Sequence, residues 1–266
     1  MPRFDQRQGL EFLVFDEFAP FGLDCVVTTR QGGASSVPYD SLNLGLHVGD
    51  DPDLVIENRL RTARALDLEL DRMVFMNQTH GARVAVVGSE MAGRGTQFEE
   101  NALISTDAMV TTVSDLPLVV LVADCCPLVF LDPEARVLGV AHAGWRGVAQ
   151  DIVGETVGAM TKLGAQPDRL FVAIGPSIER QRYEVGDEVI DAVEPFVDPS
   201  NEEVVDRSGH RPYLDVARAT VEQMVAHGIA REHIAISPVG TGDQRFFSDR
   251  ASRPCGRFAL IATLIS

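Results

Sequence analysis

The sequence predicts a mixed α+β fold in a single domain spanning 1–266, and three observations carry that expectation. Apolar runs that read as strands are interleaved with helix candidates. Their order mixes hairpin-like strand pairs with strand–helix units instead of alternating regularly. No Pro/Gly/Ser tract divides the chain, and no internal repeat or low-complexity segment occurs. A chain of 266 residues can bury a substantial core as one large domain or two small ones.

Taken in order, the strand signals are CVVTTR at 25–30, MVFMNQ at 73–78, RVAVVG at 83–88 and DAMVTT at 107–112. They continue with PLVVLVADC at 117–125, VLGVAHA at 137–143, LFVAIG at 170–175 and RFALIATLI at 257–265. Many are rich in Val and Ile and are bounded by Gly, Pro or Asp. The first helix candidate is 52–68, with Asp51 as N-cap, Pro52 at the first helical position and Leu54, Val55, Leu60 and Leu66 available for one face. Others are 148–163, 184–194 and 212–227, the last closed by Gly228. Two polar stretches, 89–105 and 198–211, read as long surface loops.

Composition restricts the partners. With 39 acidic and 23 basic residues the formal charge is −16, a field that repels nucleic-acid backbones and anionic membranes. The expected partner is a small molecule or another protein, and a local basic pocket remains compatible with the acidic surface. Asp5, Glu11, Asp16 and Glu17 interrupt the N-terminal stretch where a signal peptide needs an apolar run. The longest uncharged apolar run, LPLVVLVA at 116–123, is too short to span a membrane. A cytoplasmic location is expected, and there Cys25, Cys125, Cys126 and Cys255 are buried thiols, ligands or nucleophiles rather than a disulfide scaffold.

Three segments share one pattern, an apolar strand that stops at a metal-capable residue and a tight turn. MVFMNQTHG ends at His80 and Gly81, VVLVADCCP at Cys125, Cys126 and Pro127, and VLGVAHAGWRG at His142 with Gly144 and Gly147 behind it. Two imidazoles and a thiolate suit zinc and leave a coordination position for solvent, the arrangement of a catalytic site. The same donors accept copper. No HExxH or CxxC motif links them, and each residue has a plainer reading: a buried Cys as a small hydrophobe, a His bonded to a carbonyl. Alternatively Cys125 is a thiolate nucleophile with His142 as its base. Several signatures are absent: the HxE…PCxxC of zinc deaminases, the phosphate-binding GxxxxGK[ST] loop, GxGxxG, and the nucleophile elbow, since GPSIE at 175–179 lacks the second glycine.

The chain resembles the family variously named multicopper polyphenol oxidoreductase (laccase-like), purine nucleoside phosphorylase/adenosine deaminase and peptidoglycan editing factor. The matching segments are TTRQGG at 28–33, YDSLNLGLHVGDDP at 39–52, ENR at 57–59, NQTHG at 77–81, ADCCP at 123–127 and AHAGWRG at 141–147. AIGPSI at 173–178, YEVGDEV at 183–189 and FFS…GRFA at 246–259 follow. The resemblance implies mixed β-sheets sandwiched by helices, with His80, Cys125 and His142 as ligands of a zinc ion. It implies phosphorolysis of adenosine, inosine, guanosine and methylthioadenosine with phosphate as co-substrate, and deamination of adenosine. The laccase label would imply copper and phenol oxidation, but three copper centres demand many more ligands than six histidines provide.

Further expectations follow from that activity. Asp124, next to Cys125, is a proton carrier or a group that orients a ligand. Arg30, Arg59 and Arg146 lie in matched motifs and could converge on phosphate, Arg59 ranking below the others because it sits on a helix. Asn43 could bind ribose or base, or hold a turn, and Trp145 could stack on a purine or anchor packing. Relatives commonly carry Cys-Thr near Val239–Thr241 and Phe-Ser-(Tyr/His)-Arg-Arg near 247–251, where this chain has Asp249 and Ala251. The substitution puts the anion-binding edge in question and could favour hydrolysis or deamination. Cys126 is an extra thiol, either an alternate ligand or an oxidation liability. Three readings compete: a zinc-dependent purine nucleoside enzyme, a cysteine-nucleophile hydrolase acting on cell-wall precursors, and a regulatory binding protein without turnover.

Overall fold

Strands that are apolar along their whole length need cover on both faces, and this chain provides it by stacking two sheets between helices. The computed structural model describes residues 2–266. In spatial order, the first sheet comprises β1 (Arg3–Arg7), β2 (Leu10–Val14), β3 (Leu23–Thr28), β14 (Phe258–Leu264), β7 (Leu118–Val122) and β4 (Val74–Phe75). The second comprises β13 (Ile234–Ile236), β10 (Phe171–Ile174), β8 (Cys126–Asp132), β9 (Val137–Ala143), β6 (Ala108–Thr111) and β5 (Val84–Val86). Pairing within each is antiparallel except at edges, where β4 runs parallel to β7, β5 to β6 and β13 to β10.

Period-two alternation sorts the side chains into layers. Along β14, Phe258, Leu260, Ala262 and Leu264 point between the sheets, where they meet Val129, Leu131 and Val140 of the second sheet. Ala259 and Ile261 point the other way and pack with Ala63, Ala65 and Leu66 from and just beyond α1 (Pro52–Ala65). Along β8, Leu128 and Phe130 face outward against α3 (Ile152–Lys162) and α5 (Val216–Ala226), meeting a cluster that includes Val153, Val157, Val221 and Met224. Each fully buried Leu, Ile or Phe in these layers contributes about 1.5–3 kcal/mol of transfer free energy. The result is the expected α+β architecture of mixed sheets between helices. No helix among the described residues is long and apolar enough to cross a membrane.

The helix caps follow from sequence with small adjustments. Asp51 accepts from the Asp53 amide at 3.0 Å and opens α1, which ends at Ala65 instead of 68. The single helix expected over 148–163 is two: α2 (Trp145–Ala149) and α3, broken at Asp151. Asp151 has φ 60° and caps α3 by accepting from the Gly154 amide. The remaining helices, α4 (Asp187–Val193) and α5, lie inside their expected ranges, and Gly228 at φ 87° follows the last turn of α5. Part of the loop expected over 198–211 pairs instead, as β11 (Val205–Asp206) with β12 (Tyr213–Leu214).

Several strands carried no recognised signal. β1 and β2 form a hairpin through Gln8 and Gly9, both at positive φ, but their polar outer residues hide the alternation. β13 has only three residues. β8 is the consequential omission: Cys125-Cys126-Pro127 reads as the end of a strand, whereas Cys126 and Pro127 begin a new one. Proline is a poor marker of an interior strand because it lacks the N–H.

Candidate metal centre

The chain crosses from the first sheet to the second at two places, and both crossings carry a metal-capable side chain. One runs from β4 to β5 and holds His80; the other runs from β7 to β8 and holds Cys125. His142 is the penultimate residue of β9, in register with Pro127 of β8. These three residues are brought together: their ligand atoms all lie within 4.8 Å of one another. The two imidazole rings stand edge to face with centroids 4.7 Å apart. His142 is buried, Cys125 half-buried and His80 exposed, so the group is anchored on one side and open on the other.

One buried carboxylate ties these segments together. Asp107 precedes β6 and accepts from the amides of Thr79, His80 and Gly81 at 3.1, 2.9 and 2.8 Å. Its Oδ1 also lies 2.9 Å from His142 Nδ1, and its carbonyl accepts from the His142 amide. These contacts hold its pKa low even though burial alone would raise it. His80 itself is at φ 61°, a left-handed conformation that costs free energy and needs such support. Gln78 adds a second tie by exchanging two hydrogen bonds with the backbone of Leu121, at 2.8 and 2.9 Å, as a strand neighbour would. The sequence reading missed Asp107; the signal available was an acid at the mouth of the strand beside the one ending in His142.

Asp124 sits at φ 90° between β7 and Cys125. Its carboxylate accepts from Thr241 Oγ1 at 2.6 Å, Ser248 Oγ at 2.7 Å and the Arg250 amide at 2.6 Å. With those lone pairs engaged it fastens two distant loops to the ligand-bearing turn.

Electrostatics prepare Cys125 for ionisation. Burial pushes its thiol up, but the charge of His142 and hydrogen bonds with His142 and His80 outweigh burial, and the pKa falls to about 6. Burial correspondingly lowers His142, and the Cys125 thiolate and Asp107 overcome it, raising the ring to about 9. Cys126 is the opposite case. Strand alternation turns it away into the core beneath the helices, where it is fully buried, lies outside the three-residue group and has its pKa pushed up by desolvation. As an alternate ligand it is therefore misplaced. The donor set present suits zinc, and Gly144 leaves it room: a Cβ there would lie 2.7 Å from Cys125 Sγ.

The three residues open on a cleft of about 820 Å³, within the usual size of a small-ligand site. Four arginines line it, Arg146, Arg250, Arg253 and Arg257, although the chain as a whole carries −16. Trp145 and Tyr183 line it too, each beneath a guanidinium, that of Arg146 at 4.4 Å and that of Arg250 at 5.0 Å. Asp249, the departure noted above, pairs with both Arg253 and Arg257 at the rim. His47 is also in the wall, its pKa lowered to about 4 by burial and then by Arg257, so it is neutral at pH 7.

Of the residues expected to bind substrate, Arg146 and Trp145 are brought to this cleft. Arg30 instead spends its donors on Asp40 and lies over the Phe247 ring. Arg59 is buried, donating to the carbonyls of Leu44, Gly95 and Thr96 against Phe75. Asn43 is buried as well; its Oδ1 accepts from the amides of Gly45 and Arg257. Convergence of Arg30 and Arg59 with Arg146 thus does not occur, because the first two satisfy backbone and loop groups elsewhere. The missed residues Arg250, Arg253, Arg257 and Tyr183 lie in or beside the quoted motifs, but nothing in their spacing says that they face one cavity.

Comparison with known proteins gives consistent results. Residues 24–265 match the family described as multi-copper polyphenol oxidoreductase laccase. The purine nucleoside phosphorylase YlmD of Geobacillus stearothermophilus is 38% identical over 231 residues, covering 85% of this chain and 84% of that protein. The purine nucleoside phosphorylase ORF3 of Streptomyces griseus is 40% identical over 233 residues, 87% of this chain and 90% of its own length. Among solved structures, YlmD from Geobacillus stearothermophilus superposes with a TM-score of 0.94 at 35% identity over 100% of both chains. The Bacillus licheniformis hypothetical protein YfiH gives 0.91 at 32% identity, covering 95% and 96%.

Proposed function

The chain belongs to the multi-copper polyphenol oxidoreductase laccase family, and from that premise we propose that it is a zinc-dependent purine nucleoside enzyme. The observation that carries the reading is a His–Cys–His group on the wall of a cleft lined by four arginines in a strongly acidic protein. Local positive charge of that kind concentrates an anion such as phosphate while the remaining surface repels larger polyanions. The named activity of the relatives supports the same chemistry.

His80, Cys125 and His142 would hold the zinc, which when bound supplies Lewis acidity to an oxygen of the substrate or solvent. Arg146 and Arg250, with Arg253 and Arg257 behind Asp249, would receive phosphate beside the ribose. The faces of Trp145 and Tyr183 would take the purine, whose stacking is worth about 0.5–1.5 kcal/mol beyond area burial. Asp124 acts by position, holding the arginine-bearing loop to the Cys125 turn, and Asn43, Arg30 and Arg59 support the loops behind. The substrates proposed are adenosine, inosine, guanosine and methylthioadenosine for phosphorolysis, with adenosine also deaminated.

Bound metal should be quantified in the purified protein, alongside chromatography of adenosine incubations with and without phosphate. Ribose-1-phosphate with adenine supports phosphorolysis, and inosine supports deamination. Zinc without turnover on any nucleoside overturns the enzymatic reading in favour of a binding protein.

A second reading rests on the proximity of Cys125 and His142, whose reactive atoms lie within 4.8 Å and favour the ionised form of each other. A thiolate–imidazolium pair is the resting state of a cysteine hydrolase, whose substrate here would be a cell-wall precursor. Stoichiometric inactivation by thiol reagents, with activity indifferent to chelators, would select it.

A further inference from the structure

We propose that Asp107 is a positioning residue that fixes which nitrogen of His142 carries the proton, and so which nitrogen is free to bind metal. The proposal rests on the metal reading above and deepens it. An ionised carboxylate is an acceptor only. Three of the groups facing Asp107 are peptide N–H groups, those of Thr79, His80 and Gly81, and these can only donate. A fourth is the Thr79 hydroxyl at 3.2 Å. The side chain of Asp107 is fully buried, so no bulk water relaxes the arrangement. The remaining partner is His142 Nδ1, at 2.9 Å from Oδ1.

Acceptor faces acceptor unless that nitrogen is protonated, so the neutral ring carries its hydrogen on Nδ1 and keeps the Nε2 lone pair for metal. The His80 loop is set by the same group, since Oδ1 also receives the His80 amide. Register reinforces this, because Ala108 pairs with Ala141 across β6 and β9, which places Asp107 opposite His142. Ligand geometry and ring tautomer therefore share one origin.

Asp107→Asn separates tautomer control from mere bulk, because the two side chains have nearly the same shape. If the amide nitrogen takes the place of Oδ2, it confronts the Thr79 and Gly81 N–H groups. If it takes the place of Oδ1, it donates to His142 Nδ1 and moves the ring proton to Nε2, the nitrogen needed for metal. The latter leaves fewer opposed donors and is the expected outcome, as in the handed-over tautomer of a serine-protease triad whose Asp becomes Asn.

The test is ring 15N correlation spectroscopy of His142 in the zinc-loaded protein and in metal-free protein at alkaline pH, together with zinc titration. The unsubstituted chain should show Nδ1–H in both states. Asp107→Asn should show Nε2–H when metal-free and bind zinc about 10- to 100-fold more weakly. Thr79→Ala, which removes only the hydroxyl contact, should leave the tautomer and zinc affinity unchanged. The proposal is overturned by Nε2–H in the unsubstituted chain, a reading that holds even if the Asn variant does not fold. It is overturned equally by an Asn variant that keeps Nδ1–H, or that binds zinc as tightly as its parent. Failure of the unsubstituted chain to take up zinc would overturn the metal reading alone, and the alkaline metal-free spectrum would still decide about Asp107.

Discussion

Replacing Gly144 by alanine perturbs the metal centre without touching a ligand. Gly144 has φ −90° and ψ 177°, extended backbone that alanine adopts without strain, so the effect is confined to the new methyl group. That methyl would sit 2.7 Å from Cys125 Sγ and 3.5 Å from His80 Cδ2. Comfortable contact between such atoms starts at about 3.5 Å, so the sulfur must retreat by about 0.8 Å. Metal sites tolerate errors of only about 0.2 Å around bonds of about 2.3 Å to sulfur and about 2.0–2.1 Å to imidazole nitrogen. Rotation about the single χ of Cys125 moves Sγ from the place it holds within 4.8 Å of the two ring nitrogens. We expect zinc affinity to fall about 10- to 100-fold and turnover to fall with it. The metal-free fold should lose no more than about 1–3 kcal/mol, the range for one extra methyl in a packed site. Competition with a chromophoric chelator measures the first quantity and denaturant unfolding of the metal-free protein the second. Undiminished zinc binding by Gly144→Ala would refute the three-ligand geometry.

Other expectations can be checked independently. Cys125→Ala should abolish zinc binding and activity with the fold intact, whereas Cys126→Ala should keep the metal and cost about 1 kcal/mol of stability from a small core deletion, read by metal content and denaturation. Arg146→Ala should raise the KM for phosphate about tenfold or more with little change in Tm, because its guanidinium rests on Trp145 and forms no hydrogen bond or ion pair with the described residues; phosphate-saturation kinetics report it. At the β8–β9 turn, Asp132 accepts from the amides of Glu134, Ala135 and Gln166 and pairs with Arg169, and although burial raises its pKa these partners lower it below the ordinary 3.8. The folded value is depressed, so this contribution is complete above pH 4 or so and disappears as pH falls through the folded value. Asp132→Asn should therefore destabilise by about 2 kcal/mol near neutrality, with the difference from the parent closing in acid, measured by urea unfolding against pH.

Much of the site was legible because metal-capable residues are scarce and were marked by where apolar runs stop. His80, Cys125 and His142 each end such a run, and proximity follows once the sheets stack. Arg146 was legible as part of the same motif as His142. Asn43 and Arg59 were recognised as notable residues, but their donors and acceptors are spent on backbone groups that only the folded chain supplies. Asp107, Arg250 and Arg257 went unseen for the converse reason. Their meaning lies in what they face across strands or loops far away in sequence, and residue type alone does not report facing.

By itself the sequence determined the α+β class, the long buried strands such as β7, β9 and β14, the helix caps at Asp51 and Gly228, and the three metal-capable residues that the fold gathers into one group. These are local matters of side-chain period, hydrophobicity and capping, set by neighbours within a few positions. Tertiary structure alone decided that both crossings from the first sheet to the second bring a metal-capable side chain to the same end, that Cys125 and Cys126 face opposite layers, and that one carboxylate ties His80 to His142. Those outcomes depend on which strands pair and in which register, and pairing is fixed by burial summed over the whole sandwich rather than by any single segment.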